Sequence, residues 1–218
     1  MPFTKPFAAG DPSQNIFHIL NGDALSTQFP VDIPGQRIVA REVLSDGVIQ
    51  GNTPEQFFAG RLSYMQEKYG ISKAEYTRLT LTEFNRIRQI PPDAFVFLWF
   101  EDDVFCQLNC WFVAALLAYE HHRGPCYLIR PQEHSRFGFG GLSNESLLEL
   151  YREKPFLLDV NKISELWKII QTGDTLTALT YARDTLQAYP FIAPAVEAYL
   201  DSLPSANDLG RPKRSLIQ

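Results

Sequence analysis

The sequence has few cysteines, no surplus of basic residues and no long uninterrupted apolar segment. Three cysteines in 218 residues are too few, and odd in number, for a disulfide framework, which favours a reducing compartment. The formal net charge is −5, so no overall basic field draws the chain to nucleic acid or to an anionic membrane. We therefore expect no nucleic-acid partner for this chain alone.

The apolar segments are too short to predict a membrane protein. The longest charge-free apolar segment runs from Val104 to Tyr119 and contains Gln107 and Asn109, whereas a membrane-spanning helix needs about 20 apolar residues. Residues 1–11 lack the positive region and apolar stretch of a signal peptide. We therefore expect a cytoplasmic protein without a membrane partner.

Four short apolar runs predict buried strands, at residues 16–20, 37–44, 94–100 and 126–129. Helical patterns separate them, at 54–69, in one or two short helices within 73–89, and at 104–122. Because a parallel crossover needs a dozen or more residues, this spacing predicts parallel pairing. The predicted fold class is α/β, with a small doubly wound, mainly parallel sheet of about four strands in the first 130 residues or so.

The pattern changes after residue 131, where the sequence predicts helices alone, at about 145–154, 161–172, 174–188 and 192–203. We divide the chain into an irregular lead-in (1–14), a Rossmann-like α/β domain (15–131), a helical region packed on it (132–203) and a polar tail (204–218). The glycine-rich run at 138–141 matches neither a P-loop nor a dinucleotide fingerprint. We interpret it as a flexible loop.

Polar side chains follow each predicted strand at its carboxyl end, which is where open α/β sheets bind their ligands. The candidate ligand-binding residues are Asn21, Gly22 and Asp23 after the first strand, Arg41 and Glu42 at the end of the second, Glu101 and Asp103 after the third, Gln107 and Asn109 on the following helix, and Arg130 after the fourth. Parallel strands would bring all of them to one edge of the sheet.

Carboxylates and guanidinium groups at one edge suit a polar small molecule, such as a nucleotide or a sugar phosphate. Asp23, Glu101 and Asp103 are candidate ligands for a hard cation such as Mg²⁺, which takes oxygen ligands. The same carboxylates could instead accept hydrogen bonds from sugar hydroxyls. Arg41 would contact an anionic group of the ligand. These residues do not predict a reaction.

Structural roles compete with each of these interpretations. Asp23 could cap a helix within a tight turn, and acids just before a helix complement its dipole, which accounts for one member of the cluster at 101–103. Arg41 and Glu42 would point to opposite faces of a strand, and either could lie in an ion pair. Cys106 and Cys110 are interpreted as small buried apolar residues.

Three sequence blocks resemble a bacterial family catalogued as domain of unknown function eighteen-thirty-five. The blocks run from His18 to Leu25, from Arg41 to Gly47, and from Leu98 to Asn109. The chain departs from the family pattern at Val48, where proline is usual, and at Asp102, where histidine is common. The resemblance implies an α/β fold and supplies no activity.

The main alternative is a non-enzymatic interaction or regulatory protein that binds a partner through its helical C-terminal half. Exposed aromatic residues on the helices between 161 and 203, above all Trp167, Tyr181, Tyr189 or Phe191, would favour it. A nucleotidyl- or glycosyl-transfer enzyme with an acidic metal site is a further alternative.

Overall fold

A five-stranded, mostly parallel sheet forms the centre of the protein. The computed structural model describes residues 15–131, 138–153 and 155–203. The strands are β1 (Ile16–Asn21), β2 (Gln36–Ala40), β3 (Phe95–Trp99), β4 (Cys126–Ile129) and β5 (Phe156–Leu157), and their order across the sheet is β2-β1-β3-β4-β5. The first four strands are parallel, while β5 runs antiparallel to β4. The predicted α/β class is confirmed.

The fifth strand corrects the prediction that only helices follow residue 131. It has two residues, and both of its side chains are exposed. A strand of this length cannot produce the alternating pattern by which strands are recognised in a sequence. Its pairing with Tyr127 and Leu128 extends the sheet beyond β4.

The described helices are α1 (Asp23–Gln28), α2 (Pro54–Tyr69), α3 (Lys73–Tyr76), α4 (Thr82–Arg88), α5 (Val104–Tyr119), α6 (Asn144–Glu153), α7 (Val160–Thr172), α8 (Thr175–Thr185) and α9 (Ile192–Ser202). A π-helical segment, Thr77–Leu81, joins α3 to α4. Gly138–Gly141 forms a 3₁₀ helix in which Gly138 and Phe139 are buried, so its interpretation as a flexible loop is wrong. The predicted lead-in, the polar tail and residues 132–137 lie outside the described residues.

Helix α5 lies between the sheet and α7, which explains its nearly continuous apolar sequence. Buried residues occur all around the helix, from Cys106 to Leu117, as expected for a helix covered on opposite sides. Asp103 caps its N-terminus by accepting a hydrogen bond from the backbone N–H of Cys106 at 3.0 Å. None of the helices within the described residues is long and apolar enough to cross a membrane.

Strand β2 ends at Ala40, four residues before the predicted end. Arg41 and Glu42 therefore follow the strand, and the expectation that they point to opposite faces of a strand is wrong. The cause is the strong polar partners that each side chain finds outside the sheet, because Arg41 binds Asp23 and Glu42 binds Arg61.

The outer edge of β2 is covered by α4. The backbone N–H of Val39 donates to Glu83 Oε2 at 2.8 Å, and Arg86 Nη2 donates to the carbonyl oxygen of Arg37 at 2.9 Å. Unpaired backbone groups at a sheet edge invite pairing with another chain. Glu83 and Arg86 give two backbone groups of this edge a hydrogen-bond partner, which disfavours pairing with another chain there.

Candidate functional site

The strand order creates a topological switch point between β1 and β3. The chain passes from β1 to β2 on one side and then returns to β3 on the other side of β1. In sheets of this order, the helices on the two sides diverge and leave a crevice at the carboxyl ends of these two strands. The residues at those ends are Asn21, the last residue of β1, Gly22 directly after it, and Glu101 just beyond β3.

Gly22 leaves the backbone at the end of β1 open to a ligand. Its φ of 86° and ψ of 174° belong to a region that is almost reserved for glycine. A Cβ built on Gly22 would have no heavy atom within 4 Å, apart from its own chain neighbours. Glycine is therefore required by the conformation of the turn, while the space beside it is empty.

Asn21 connects β1 to helix α5. Its Nδ2 donates to the sulfur of Cys106 at 2.8 Å, and its Oδ1 accepts a hydrogen bond from Asn109 Nδ2 at 3.0 Å. Asn109 Nδ2 also donates to the backbone oxygen of Glu42 at 3.0 Å. Asn109 thus holds the ends of β1 and β2 together from a buried position, rather than facing solvent as a ligand-orienting residue would.

Gln107 has a similar bracing role. Its Nε2 donates to the backbone oxygen of Glu101 at 2.6 Å, and its side chain is completely buried. Within the described residues, the Oε1 of Gln107 and the Oδ1 of Asn109 are buried without a hydrogen-bond partner. Each of these two buried oxygens could therefore accept a further hydrogen bond.

Glu101, Asp103 and Cys106 form a cluster of three potential metal ligands. One ligand atom from each lies within 4.8 Å of the other two. Hydrogen bonds orient both carboxylates, since the backbone N–H of Phe139 donates to Glu101 Oε1 at 2.8 Å and the N–H of Cys106 donates to Asp103. Burial raises the pKa of the Cys106 thiol, and its hydrogen bond with Asp103 raises it further. The unliganded thiol is therefore protonated and is a poor nucleophile.

This cluster differs from the predicted metal set of Asp23, Glu101 and Asp103. Asp23 binds Arg41 instead, and Cys106 takes the third position. Two carboxylates and a thiol do not suit Mg²⁺, which prefers oxygen, and are better matched to a borderline ion such as Zn²⁺. The sequence signal was the spacing of Asp103 and Cys106, because a cap and the residue three positions later meet at the first turn of a helix.

Arg41 and Asp23 form an exposed ion pair on the β2 side of the crevice. The Nε and Nη2 of Arg41 donate to Asp23 Oδ1 at 2.9 and 2.6 Å. These hydrogen bonds hold the pKa of the Asp23 carboxyl below its usual value. Asp23 does not cap α1 through its side chain; Gly22 occupies the cap position.

Arg130 and Asp102 form a second ion pair on the β4 side. Arg130 Nε donates to Asp102 Oδ1 at 2.6 Å, and Nη2 contacts the other carboxylate oxygen. The guanidinium carbon of Arg130 also lies 3.9 Å from the centre of the Phe191 ring. Such an arrangement fixes the guanidinium plane through both charge and stacking.

Glu42 belongs to a buried network that is separate from the cluster of Glu101, Asp103 and Cys106. Arg61 Nη2 donates to Glu42 Oε2 at 2.7 Å, and the Tyr76 hydroxyl donates to Glu42 Oε1. Burial and the Glu42 carboxylate raise the pKa of Tyr76. Arg61 and Tyr76 are not among the candidate residues that the sequence indicated. A signal for Arg61 was present, since Phe57, Arg61 and Met65 share one face of α2.

The aromatic residues of the C-terminal helices are not exposed in the way that the alternative, a partner interface on these helices, would require. Trp167, Tyr189 and Phe191 are buried, and Tyr181 is half-buried. Among the described residues of α7, α8 and α9, Leu176 is the large apolar side chain that is exposed, at 75%. Single exposed apolar side chains are normal on a protein surface.

Comparison with protein-family models, with curated proteins and with solved structures found no match to this chain. The resemblance to the domain family described above therefore stays a prediction.

Proposed function

We propose that the protein binds a polar small molecule in the crevice between the carboxyl ends of β1 and β3. The observation that carries the proposal is the approach of Asn21 and Gly22 on one strand end to Glu101, Asp103 and Cys106 on the other. Open space beside Gly22 supports access. We also propose membership of the uncharacterised bacterial family that the three sequence blocks resemble.

The charges at this edge favour a ligand with hydroxyl groups or with a bound cation. Four carboxylates, those of Asp23, Glu101, Asp102 and Asp103, accompany two guanidinium groups that are already paired. A phosphate group alone would be repelled, because the carboxylates outnumber the guanidinium groups. A nucleotide or sugar phosphate would therefore bind best together with a divalent cation that screens this repulsion.

Glu101, Asp103 and Cys106 are the residues that would hold such a cation. The hydrogen bonds from Phe139 and Asn21 would act as the supporting contacts that orient metal ligands in proteins. Loss of the Cys106 proton would accompany binding, as it does when thiols coordinate metals. The proposal therefore predicts ligand affinity that depends on the ion, with Zn²⁺ more effective than Mg²⁺.

Substitution of Asp103 separates ligand binding from helix capping. Asparagine caps helices about as well as aspartate does, so Asp103→Asn should retain the start of α5 while removing a carboxylate from the crevice. Asp174→Asn is the matched control, because Asp174 caps α8 in the same way, by accepting from the N–H of Thr177 at 3.0 Å.

The test is thermal unfolding against nucleotides, sugar phosphates and free sugars, each with and without Zn²⁺, Mn²⁺ or Mg²⁺. A ligand at about a hundred times its dissociation constant should stabilise the fold by roughly 2.7 kcal/mol, a midpoint shift of several degrees for a chain of this size. We expect a shift in wild type and in Asp174→Asn, with loss or strong reduction in Asp103→Asn. Equal shifts in all three proteins would contradict the proposed site, and no shift across the panel would contradict the proposed function.

A further inference from the structure

A second cavity, of about 360 Å³, lies between the start of α2, the C-terminal half of α5 and the outer face of α7. It is distinct from the crevice, since its lining includes none of the residues at the ends of β1 and β3. Its volume falls within the range of small-molecule sites in proteins, roughly 300–1,000 Å³. The cavity is partly open to solvent, so a ligand could enter it without unfolding of the helices.

Small side chains at the helix contact create the cavity. Ala115 and Ala118 on α5, and Ser164 on α7, line it where larger residues would fill the space. Its deeper side is formed by Phe57, Phe112 and Trp167. The Phe57 and Phe112 rings stack with their centres 4.1 Å apart, and the Phe112 and Trp167 centres are 5.4 Å apart. The three rings are nearly fully buried, so each presents only a small part of its surface to the cavity.

Polar groups give the cavity a hydrogen-bonding side. The Ser164 hydroxyl belongs to a side chain that is 6% exposed and lines the cavity. Gln171, also in the lining, is fixed by donation from its Nε2 to the backbone oxygen of Ile49 at 2.6 Å. Apolar walls with a few fixed polar groups are typical of ligand sites.

The charge of the lining points to an uncharged ligand. Among the described residues that line the cavity, the charged side chains are Glu165 and Lys168, which pair with an N–O distance of 3.2 Å. They neutralise each other at an exposed position, and both remain largely in water. A charged ligand would lose hydration at the aromatic wall without gaining an unpaired opposite charge.

We propose that this cavity is a second binding site, specific for a small, neutral, planar molecule with a hydrogen-bonding edge. The alanines of α5 and the small accessible parts of Phe57, Phe112 and Trp167 would contact its apolar body, while Ser164 would meet its polar edge. This specificity is opposite to that of the crevice, where carboxylates dominate. The two sites therefore take different classes of ligand.

The test uses indole as the neutral probe, with indole-3-acetate and tryptamine as its anionic and cationic counterparts. Isothermal titration of the 218-residue chain should show saturable binding of indole at one site, and at least tenfold weaker binding of both charged compounds. Absence of saturable indole binding would overturn the proposal. Equal affinity for either charged compound would overturn the proposed specificity.

Substitutions that fill the cavity test whether indole binds there. Ala118→Phe places a ring in the lining and should abolish indole binding, whereas Ala59→Phe adds the same ring to an exposed position of α2 outside the lining and should leave binding unchanged. Circular dichroism checks that each variant is folded. If Ala118→Phe does not fold, Ala115→Leu adds less volume to the same cavity and should weaken binding at least fivefold. Unchanged affinity in a folded cavity variant would overturn the proposal.

Discussion

Glu42 and Arg61 form an ion pair in which both side chains are completely buried, with Arg61 Nη2 2.7 Å from Glu42 Oε2. The guanidinium group also donates to the backbone oxygens of Asp46 at 2.7 Å, Val48 at 3.1 Å and Val43 at 3.2 Å. One buried side chain thus fixes the whole segment that follows β2. Glu42 directly follows Arg41 in the chain, so the pair also helps to hold Arg41 in place.

Removal of Arg61 alone should strongly destabilise the protein. Arg61→Met leaves the Glu42 carboxylate buried without its cation, and breaking one side of a buried ion pair typically costs about 3–5 kcal/mol. Urea denaturation at neutral pH measures this change in the free energy of unfolding. The matched control is Arg183→Met, because Arg183 pairs with Glu197 at 2.6 Å on the exposed surface. That change should cost less than about 1 kcal/mol. Similar losses in the two variants would contradict the structural role of the buried pair.

His18 should make stability depend on pH between about 4 and 6.5. Its Nδ1 accepts a hydrogen bond from Trp99 Nε1 at 3.0 Å, and its Nε2 lies 3.0 Å from the backbone oxygen of Pro34. Burial lowers the pKa of His18 from 6.5 to about 4. The unfolded chain therefore binds a proton over this range while the folded chain does not, so stability falls as the pH falls. The loss attributable to His18 is roughly 3 kcal/mol.

Denaturation of His18→Gln as a function of pH isolates this contribution. The variant lacks a group that titrates there, so its stability should change less between pH 6.5 and 4 than that of wild type. His121→Asn is the control, because His121 is exposed and has a φ of 58°, which asparagine tolerates. Its curve shows what replacement of a histidine outside the core does to the measurement. If the free energy of unfolding of wild type and His18→Gln changed in parallel with pH, burial would not hold His18 neutral.

Because Gly138 packs closely against Glu101, alanine substitution should cost much more stability at Gly138 than at Gly140 of the same 3₁₀ helix. A Cβ on Gly138 would lie 2.0 Å from the carboxyl carbon of Glu101, and Gly138 has a φ of 51°. Gly138→Ala should therefore cost more than about 1 kcal/mol and should displace the Glu101 carboxylate from the crevice. A Cβ on Gly140 would meet nothing within 4 Å, so Gly140→Ala should change stability by less than about 0.5 kcal/mol. Calorimetric unfolding measures both, and equal costs would contradict the contact.

The sequence patterns predicted the central strands well because β1 and β3 are buried on both faces. The apolar runs around Ile19 and Leu98 identify β1 and β3, and the cap at Thr53 identifies the start of α2, where the N–H of Gln56 donates to Thr53 Oγ1 at 3.3 Å. His18, which lies in the first of these runs, is a hydrogen-bonded core residue. Strand β5 was missed because its two residues are too few to form a pattern.

The partners of the candidate site residues could not be predicted from local patterns. Arg61 lies 19 residues beyond Glu42, and Cys106 lies 85 beyond Asn21. Such pairs depend on how helices pack on the sheet, which local propensity does not encode. The sequence therefore indicated which edge of the sheet is polar, but not that Glu42 is withdrawn into the interior or that Cys106 joins the acidic cluster.

The most direct test of the central claim is a ¹H–¹⁵N NMR titration with the compound and ion that give the largest thermal shift. If the ligand binds at the switch point, the amide signals that move most will be those of residues 21–23, 101–106 and 138–139. Signals from residues that line the cavity at α7, such as Ser164 and Lys168, will stay in place. Movement confined to the α7 cavity, with the signals of Gly22 and Asp103 unchanged, would contradict the account.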